Sequence, residues 1–469
     1  MHIRSFIPRF ALTIILLVIL ACTVPLPTRK KIPTPAYSVT DLRLPTSFLW
    51  GASTSAHQVE GSTSNDWTQW EQAHAEQLAA GAEDKFSNTP RWGLFSATAS
   101  ESSNYISGTA ADQLHRYPED IAIMKKLGLT AYRFSVEWSR IEPADGVFDT
   151  AALNHYQTFV SELKAAGIEP FVTLWHRTQP TWIADQGEWT NEKTVGDFTR
   201  FATKVAETFG SQVTYYMTFN EPELHIGGGY VQGIIPPEQR SIRLGNQAFA
   251  RMMEAHKQAY TAIHSKNTAA QVGSTHAMQL GRAAPATALN TLAQQYLDGF
   301  ANWKFLDATK DYSDFIGIQY YGPMQYAVSL NRKNGVSIRN FPDPNAPIQS
   351  DMGWEVYPHG IYELIMQTTQ RYNKPIYITE NGIADAQDTL RAAYISDHIF
   401  WVQQALQTGA DVRGYFTWSL LDNFEWDKGF WPRFGLVAVD YANNQARTIR
   451  PSAFTYKQII SQSVPETQN

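Results

Sequence analysis

Eight short, mainly apolar runs recur along the chain, with stretches of helical periodicity between them. This alternation limits the fold more than any other feature. The runs read as strands near Phe48–Ala52, Ala131–Val136, Glu169–Leu174, Val213–Phe219, Gln271–Thr275, Phe315–Tyr320, Ile376–Thr379 and Gly414–Trp418. Helical patterns lie between them, for example at Ile121–Leu127, Ala151–Ala166, Thr194–Phe209 and Arg391–Gln407. Strand–helix alternation builds a parallel sheet, and eight units close as a barrel. The prediction is an α/β fold, a single (β/α)8 TIM barrel with long βα loops, over residues 42–469. A chain of 469 residues has the length of two or three domains. One barrel with insertions also reaches it. Two polar stretches, 83–109 and 329–351, read as long loops that either wall a cleft or run over the surface.

The first residues stand outside that pattern. Arg4 and Arg9 supply a basic start, and Ala11 to Leu20 is an apolar run too short to span a bilayer comfortably. Ile19-Leu20-Ala21-Cys22 resembles the bacterial lipoprotein signal. That resemblance implies a signal peptide at 1–21, cleavage before Cys22, and lipid on its sulfur. The expected location is therefore the bacterial cell envelope, anchored to a membrane. An ordinary signal peptide or an uncleaved anchor is the alternative, and both still mean export. Cys22 is the only cysteine, so no intrachain disulfide can form. Pro25, Pro27, Pro33 and Pro35 mark 22–41 as an extended tether.

Several chemistries lack their signatures. A net charge of −6 gives a nucleic-acid partner no electrostatic support. There is no HExxH and no Cys/His cluster, so neither metal nor cofactor is expected. Gly227-Gly228-Gly229 lacks dinucleotide-binding spacing, and neither a Walker A motif nor a Gly-x-Ser-x-Gly elbow occurs. What does occur is a pair of carboxylates. Thr218-Phe219-Asn220-Glu221-Pro222 closes the fourth strand, and Ile376-Tyr377-Ile378-Thr379-Glu380-Asn381-Gly382 closes the seventh. Each Glu alone reads equally well as a loop residue capping the next element. Together, two carboxylates at the C-terminal ends of buried strands are what glycoside hydrolysis requires.

These stretches resemble glycoside hydrolase family 1, the β-glucosidase and β-galactosidase family, from about Leu44 to the last helix. Phe48 to Gly61 (FLWGASTSAHQVEG) matches its opening motif, Thr218–Pro222 its acid/base motif, and Ile378–Gly382 its nucleophile motif. Trp418 to Trp426 (WSLLDNFEW) matches its late sugar-binding motif. The resemblance implies a retaining β-glycosidase. Glu380 would attack the anomeric carbon, and Glu221 would protonate the leaving oxygen and then activate water. The two carboxyls should then stand about 5–5.5 Å apart. By the same resemblance Arg133 and Tyr321 support the nucleophile. Gln58, His176, Asn220, Trp418, Glu425 and Trp426 hold the sugar, and Glu425 with Trp426 points to an unphosphorylated glycone. An inactive, sugar-binding barrel and a transglycosylase with the same residues are the alternatives. The expected partners are a β-glycoside and, through Cys22, a lipid; the oligomeric state stays open.

Two departures from the family pattern bear on the site. Arg177 follows His176 where the family usually has Trp, and Gln319 stands where Asn is expected. Arg177 has two readings. It is turned away and paired with an acid, Glu223 and Asp185 being near in sequence, or it faces the sugar and meets an anionic group there.

Overall fold

A computed structural model describes residues 31–331 and 335–463. Eight parallel strands form a closed barrel: β1 (Leu49–Ser53), β2 (Ala131–Ser135), β3 (Glu169–Trp175), β4 (Tyr215–Asn220), β5 (Gln271–Ala277), β6 (Phe315–Gln319), β7 (Ile376–Asn381) and β8 (Val412–Trp418). Each strand pairs with its neighbours in sequence, and β1 closes on β8 with Ser53 opposite Trp418. Helices such as Lys193–Phe209 and Arg391–Gln407 cover the outside. All eight expected strands are present, displaced by at most two residues at either end.

The lower barrel is filled rather than open. Ala131, Phe171, Met217, Phe315, Tyr377 and Phe416 form one buried cluster inside it. Phe171 stacks on Tyr215 with ring centroids 4.1 Å apart. Gly51 admits the ring of Phe416, because a Cβ there would stand 2.3 Å from a ring carbon.

Strand side chains alternate between faces, so inward Met217 predicts an inward Phe219 and an outward Asn220. The reverse is found. Phe219 packs outward on Trp189 and Phe198, and Asn220 meets Arg133 inside the barrel. The β4–β5 register shifts between Met217 and Asn220, which accounts for the reversal. β7 repeats the device. Tyr377 points inward, the register with β6 shifts between Ile378 and Glu380, and Glu380 also turns inward. Both carboxylate-bearing strands are re-aimed by an irregularity at their C-terminal ends.

Two expected loops are structured. The stretch 83–109 is a chain of short helical turns, Ala82–Phe86, Trp92–Leu94, Ser96–Ala99 and Ser102–Tyr105. Phe86 and Phe95 pack on Trp431 in a cluster that includes Trp418, so this insertion walls the barrel mouth. Much of 329–351 belongs to an antiparallel hairpin, Met324–Asn331 with Gly335–Phe341. The polar composition of both stretches hid local hydrogen bonding that needs few apolar residues.

The expected signal peptide and Cys22 lie outside the described residues. The tether is seen from Lys31 on, and that part is held rather than free. Lys31 pairs with Glu355 at 2.6 Å, Thr34 accepts from the Trp401 indole at 3.0 Å, and Tyr37 donates to Asp397 at 2.8 Å. An extended proline-rich strip can still lie along a wall when its few polar groups find partners.

Candidate active site

Glu380 ends β7 with only 4% of its surface exposed. Arg133 Nη1 donates to its Oε1 at 2.5 Å, and the Tyr321 hydroxyl donates to its Oε2 at 2.6 Å. Arg133 is fully buried and its other nitrogen, Nη2, donates to Asn220 Oδ1 at 2.5 Å. Its charge therefore sits between the ends of β7 and β4. Burial and the charges of Glu380 and Glu221 push the Tyr321 phenol well above its ordinary range, so it remains a donor. The backbone after Glu380 is fixed too. Asn381 accepts from Tyr415 and donates to the Tyr320 carbonyl, and a Cβ on Gly382 would stand 1.7 Å from the Trp418 carbonyl oxygen.

Glu221 follows β4 in a left-handed conformation, φ 47°, just ahead of the turn Pro222–His225. Its N–H bonds the Thr275 carbonyl at 2.9 Å. Its carboxyl is buried and accepts one side-chain bond, from Arg177 Nη2 at 2.7 Å. Burial pushes this carboxyl up to about 8, with Glu380 and Glu223 adding to the rise and the Arg177 cation opposing it. The two carboxyls thus have different surroundings. Two donors, one a full cation, hold Glu380; one cation works against burial at Glu221.

Arg177 is therefore neither turned away nor paired with either acid near it in sequence. Glu223 faces His276 and the Ala277 N–H, and Asp185 is exposed to solvent. The guanidinium lies in the mouth, 5.3 Å from the Trp426 ring, with its Nε buried and without an acceptor. A positive φ of 70° at Arg177 turns the chain inward directly after β3.

The remaining predicted side chains line the same mouth. Asn220 Oδ1 accepts from Arg133, from Gln319 at 2.8 Å and from Thr275 at 3.0 Å. That fixes its amide so that Nδ2 faces His176 Nε2 at 3.2 Å. Nδ2 can only donate, so His176 Nε2 accepts and Nδ1 carries the proton, with no acceptor among the described residues. Burial and the Arg133 and Arg177 cations hold His176 well below its ordinary range, hence neutral. Trp418 and Trp426 lie nearly parallel to its ring, each 6.1 Å away. Ser55 donates to Gln58 Oε1, and Gln58 Nε2 donates to the Phe424 carbonyl and, at 3.4 Å, to Glu425. Asn423 holds Glu425 at 2.8 Å, and burial pushes that carboxyl up to about 7.

The predicted ring is thus assembled from the ends of seven segments. Thr275, Ser55 and Asn423 belong to it and were not singled out in the sequence. Asn423 lies inside the WSLLDNFEW run, two residues before the carboxylate it positions, and Ser55 inside the FLWGASTSAHQVEG run, three before Gln58, so both had a readable signal. Thr275 had none, since its role depends on the shifted β4–β5 register.

A (β/α)8 barrel with two buried carboxyls at strand ends, ringed by amide, imidazole and indole groups, defines a glycoside-cleaving class of enzyme. The chain belongs to Glycosyl hydrolase family 1, whose family model matches residues 40–310 and 302–464. It is 31% identical to β-glucosidase A of Thermotoga maritima over 455 residues, covering 89% of this chain and 98% of the relative. It is also 31% identical to a β-galactosidase of Sulfolobus acidocaldarius, covering 73% of this chain and 82% of that one. Among solved structures it resembles a β-glycosidase from Pyrococcus horikoshii with a TM-score of 0.79 and 34% identity, over 90% and 95% of the two chains. The Thermotoga maritima β-glucosidase in complex with glucoimidazole gives a TM-score of 0.75 at 27% identity, over 90% and 99%. The protein is a retaining β-glycosidase acting on β-glycosides.

Proposed function

We propose that Glu380 is the nucleophile and Glu221 the acid/base in a double displacement. The observation that carries this is the contrast between their surroundings. Arg133 and Tyr321 donate to the two oxygens of Glu380, which accepts from both. Burial keeps a proton on Glu221 near neutral pH. Glu380 attacks the anomeric carbon while Glu221 gives its proton to the leaving oxygen. Glu221 then takes a proton from water, which displaces Glu380 from the sugar. Gln58, Glu425, Asn220 and His176 bond the sugar hydroxyls, and Trp418 and Trp426 border its faces. The relatives named as β-glucosidases and a β-galactosidase support a glucose- or galactose-like glycone. Nitrophenyl β-glycosides of both sugars test the glycone. A 2-deoxy-2-fluoro β-glycoside tests the nucleophile, since it should leave the sugar on the peptide carrying Glu380. Label on any other peptide rejects the assignment.

The same reading places the enzyme in the cell envelope, exported by segment 1–21 and anchored through lipid on Cys22. The basic, apolar and small-residue sequence before Cys22 supports it. Residues 23–30 reach at most roughly 30 Å beyond Lys31, so an anchored barrel would sit close to the bilayer. Cys22→Ser should move the protein out of the membrane fraction. Wild-type protein that is soluble, with another N-terminus, rejects the anchor.

A further inference from the structure

We propose that Arg177 forms an anion subsite and that the enzyme favours β-glycosides whose sugar carries an acidic substituent, a carboxylate or a sulfate ester. This rests on the glycosidase reading above and adds a substrate class to it. The observation is a charge balance. The mouth holds two guanidinium groups, Arg133 and Arg177, and three carboxyls, Glu221, Glu380 and Glu425. Arg133 is taken by Glu380. Arg177 has one acid partner, Glu221, at 2.7 Å. Glu425 takes its side-chain bonds from Asn423 and Gln58, while the Lys428 and Arg177 cations act on it through space.

The first chemical step requires Glu221 to be protonated, and protonation removes the charge of the carboxylate that Arg177 is bonded to. The cation is then left bonded to a neutral acid, with a buried Nε that no group among the described residues accepts from. A guanidinium that is only 13% exposed and bonds no anion is costly. A neutral sugar leaves it so; an acidic substituent supplies the missing charge. Position agrees with this. Arg177 directly follows His176, and its guanidinium lies over Trp426. Its contacts with Glu221 and Trp426 put it within the ring assigned to the glycone. The planar fork of Arg suits bidentate binding of a carboxylate or sulfate.

The test compares kcat/KM for 4-nitrophenyl β-D-glucoside, the matching β-D-glucuronide and a sulfated β-glucoside, in wild type, Arg177→Met and Arg177→Lys. Wild type should prefer one of the charged substrates to the glucoside, and the carboxylate and sulfate arms tell which. Arg177→Met should lower the charged-to-neutral ratio by about ten- to a hundredfold, and Arg177→Lys should retain part of it. Arg177→Lys also serves if the Met variant does not fold. A ratio unchanged by substitution overturns the subsite, as does a wild type that cleaves the glucoside alone. An equal shift of the pH profile on all substrates overturns it too, because that leaves Arg177 acting only on Glu221. If wild type cleaves none of the three, the glycosidase reading falls first and the subsite with it.

Discussion

Glu221→Gln separates the two carboxylates most sharply. The substitution keeps the shape of the side chain and an oxygen for Arg177, which now donates 2.7 Å to Glu221 Oε2. It removes the proton. With the carboxyl pushed up to about 8, Glu221 carries that proton near neutral pH. General acid–base catalysis contributes about 10²- to 10⁴-fold, or roughly 3–5 kcal/mol of barrier. An alkyl β-glycoside should lose that whole factor. A 2,4-dinitrophenyl glycoside, whose leaving group needs no proton, should keep its first step and accumulate glycosyl-enzyme. Azide should restore turnover and yield the β-glycosyl azide. The pH profile gives a second readout. Wild-type kcat/KM should fall as pH rises through about 8, because the active form is the protonated one, and the variant should lack that limb. Alkyl glycoside hydrolysis within tenfold of wild type would refute the reasoning. So would an alkaline limb that persists in the variant.

Two further outcomes follow from contacts around Glu380. Tyr321→Phe removes one bond of 2.6 Å to Glu380 while the ring stays packed on Trp354 and Phe434. The expected loss is about 1.5–3 kcal/mol, ten- to a hundredfold in kcat, with an unchanged melting temperature; a large drop in melting temperature would make the role structural. Gly382→Ala places a Cβ 1.7 Å from the Trp418 carbonyl oxygen, which is backbone and cannot swing aside. It should destabilise the fold by more than the ~1–3 kcal/mol of ordinary overpacking, read by urea unfolding, and an unshifted midpoint contradicts the contact.

The barrel was legible because its strands are short apolar runs set between helical stretches, five of them ending in a polar residue: Ser53, Ser135, Asn220, Gln319 and Asn381. The site residues were legible where they lie within long runs of sequence, as do Gln58, Glu221, Glu380 and Glu425. What the sequence could not show is how the strand ends are aimed. Simple alternation from Met217 and Tyr377 points Asn220 and Glu380 at the helices. Only the register shifts in β4 and β7 turn them inward, and a shift of one residue leaves no mark in composition. Arg177 was readable as a departure, but its partner was not. Glu221 is 44 positions away and reaches it across β3 and β4, whereas the acids near in sequence face other ways.

The pairing of each carboxylate with its own guanidinium has a consequence for the proposed reaction. Before attack the negative charge lies on Glu380, against Arg133. Attack turns Glu380 into a neutral ester, and proton donation leaves the charge on Glu221, against Arg177. The charge moves from one buried ion pair to another without entering an unpaired state. Arg177 thus opposes the protonated Glu221 of the free enzyme and stabilises the carboxylate that proton donation creates. Burial and the charges of Glu380 and Glu223 outweigh it in the free enzyme. Once Glu380 is esterified its charge no longer acts on Glu221, so the balance moves toward the ionised form when a base is needed for water. A guanidinium has five N–H donors, and Glu221 occupies one of them in a bond from Nη2, so the same cation retains donors for a substrate anion.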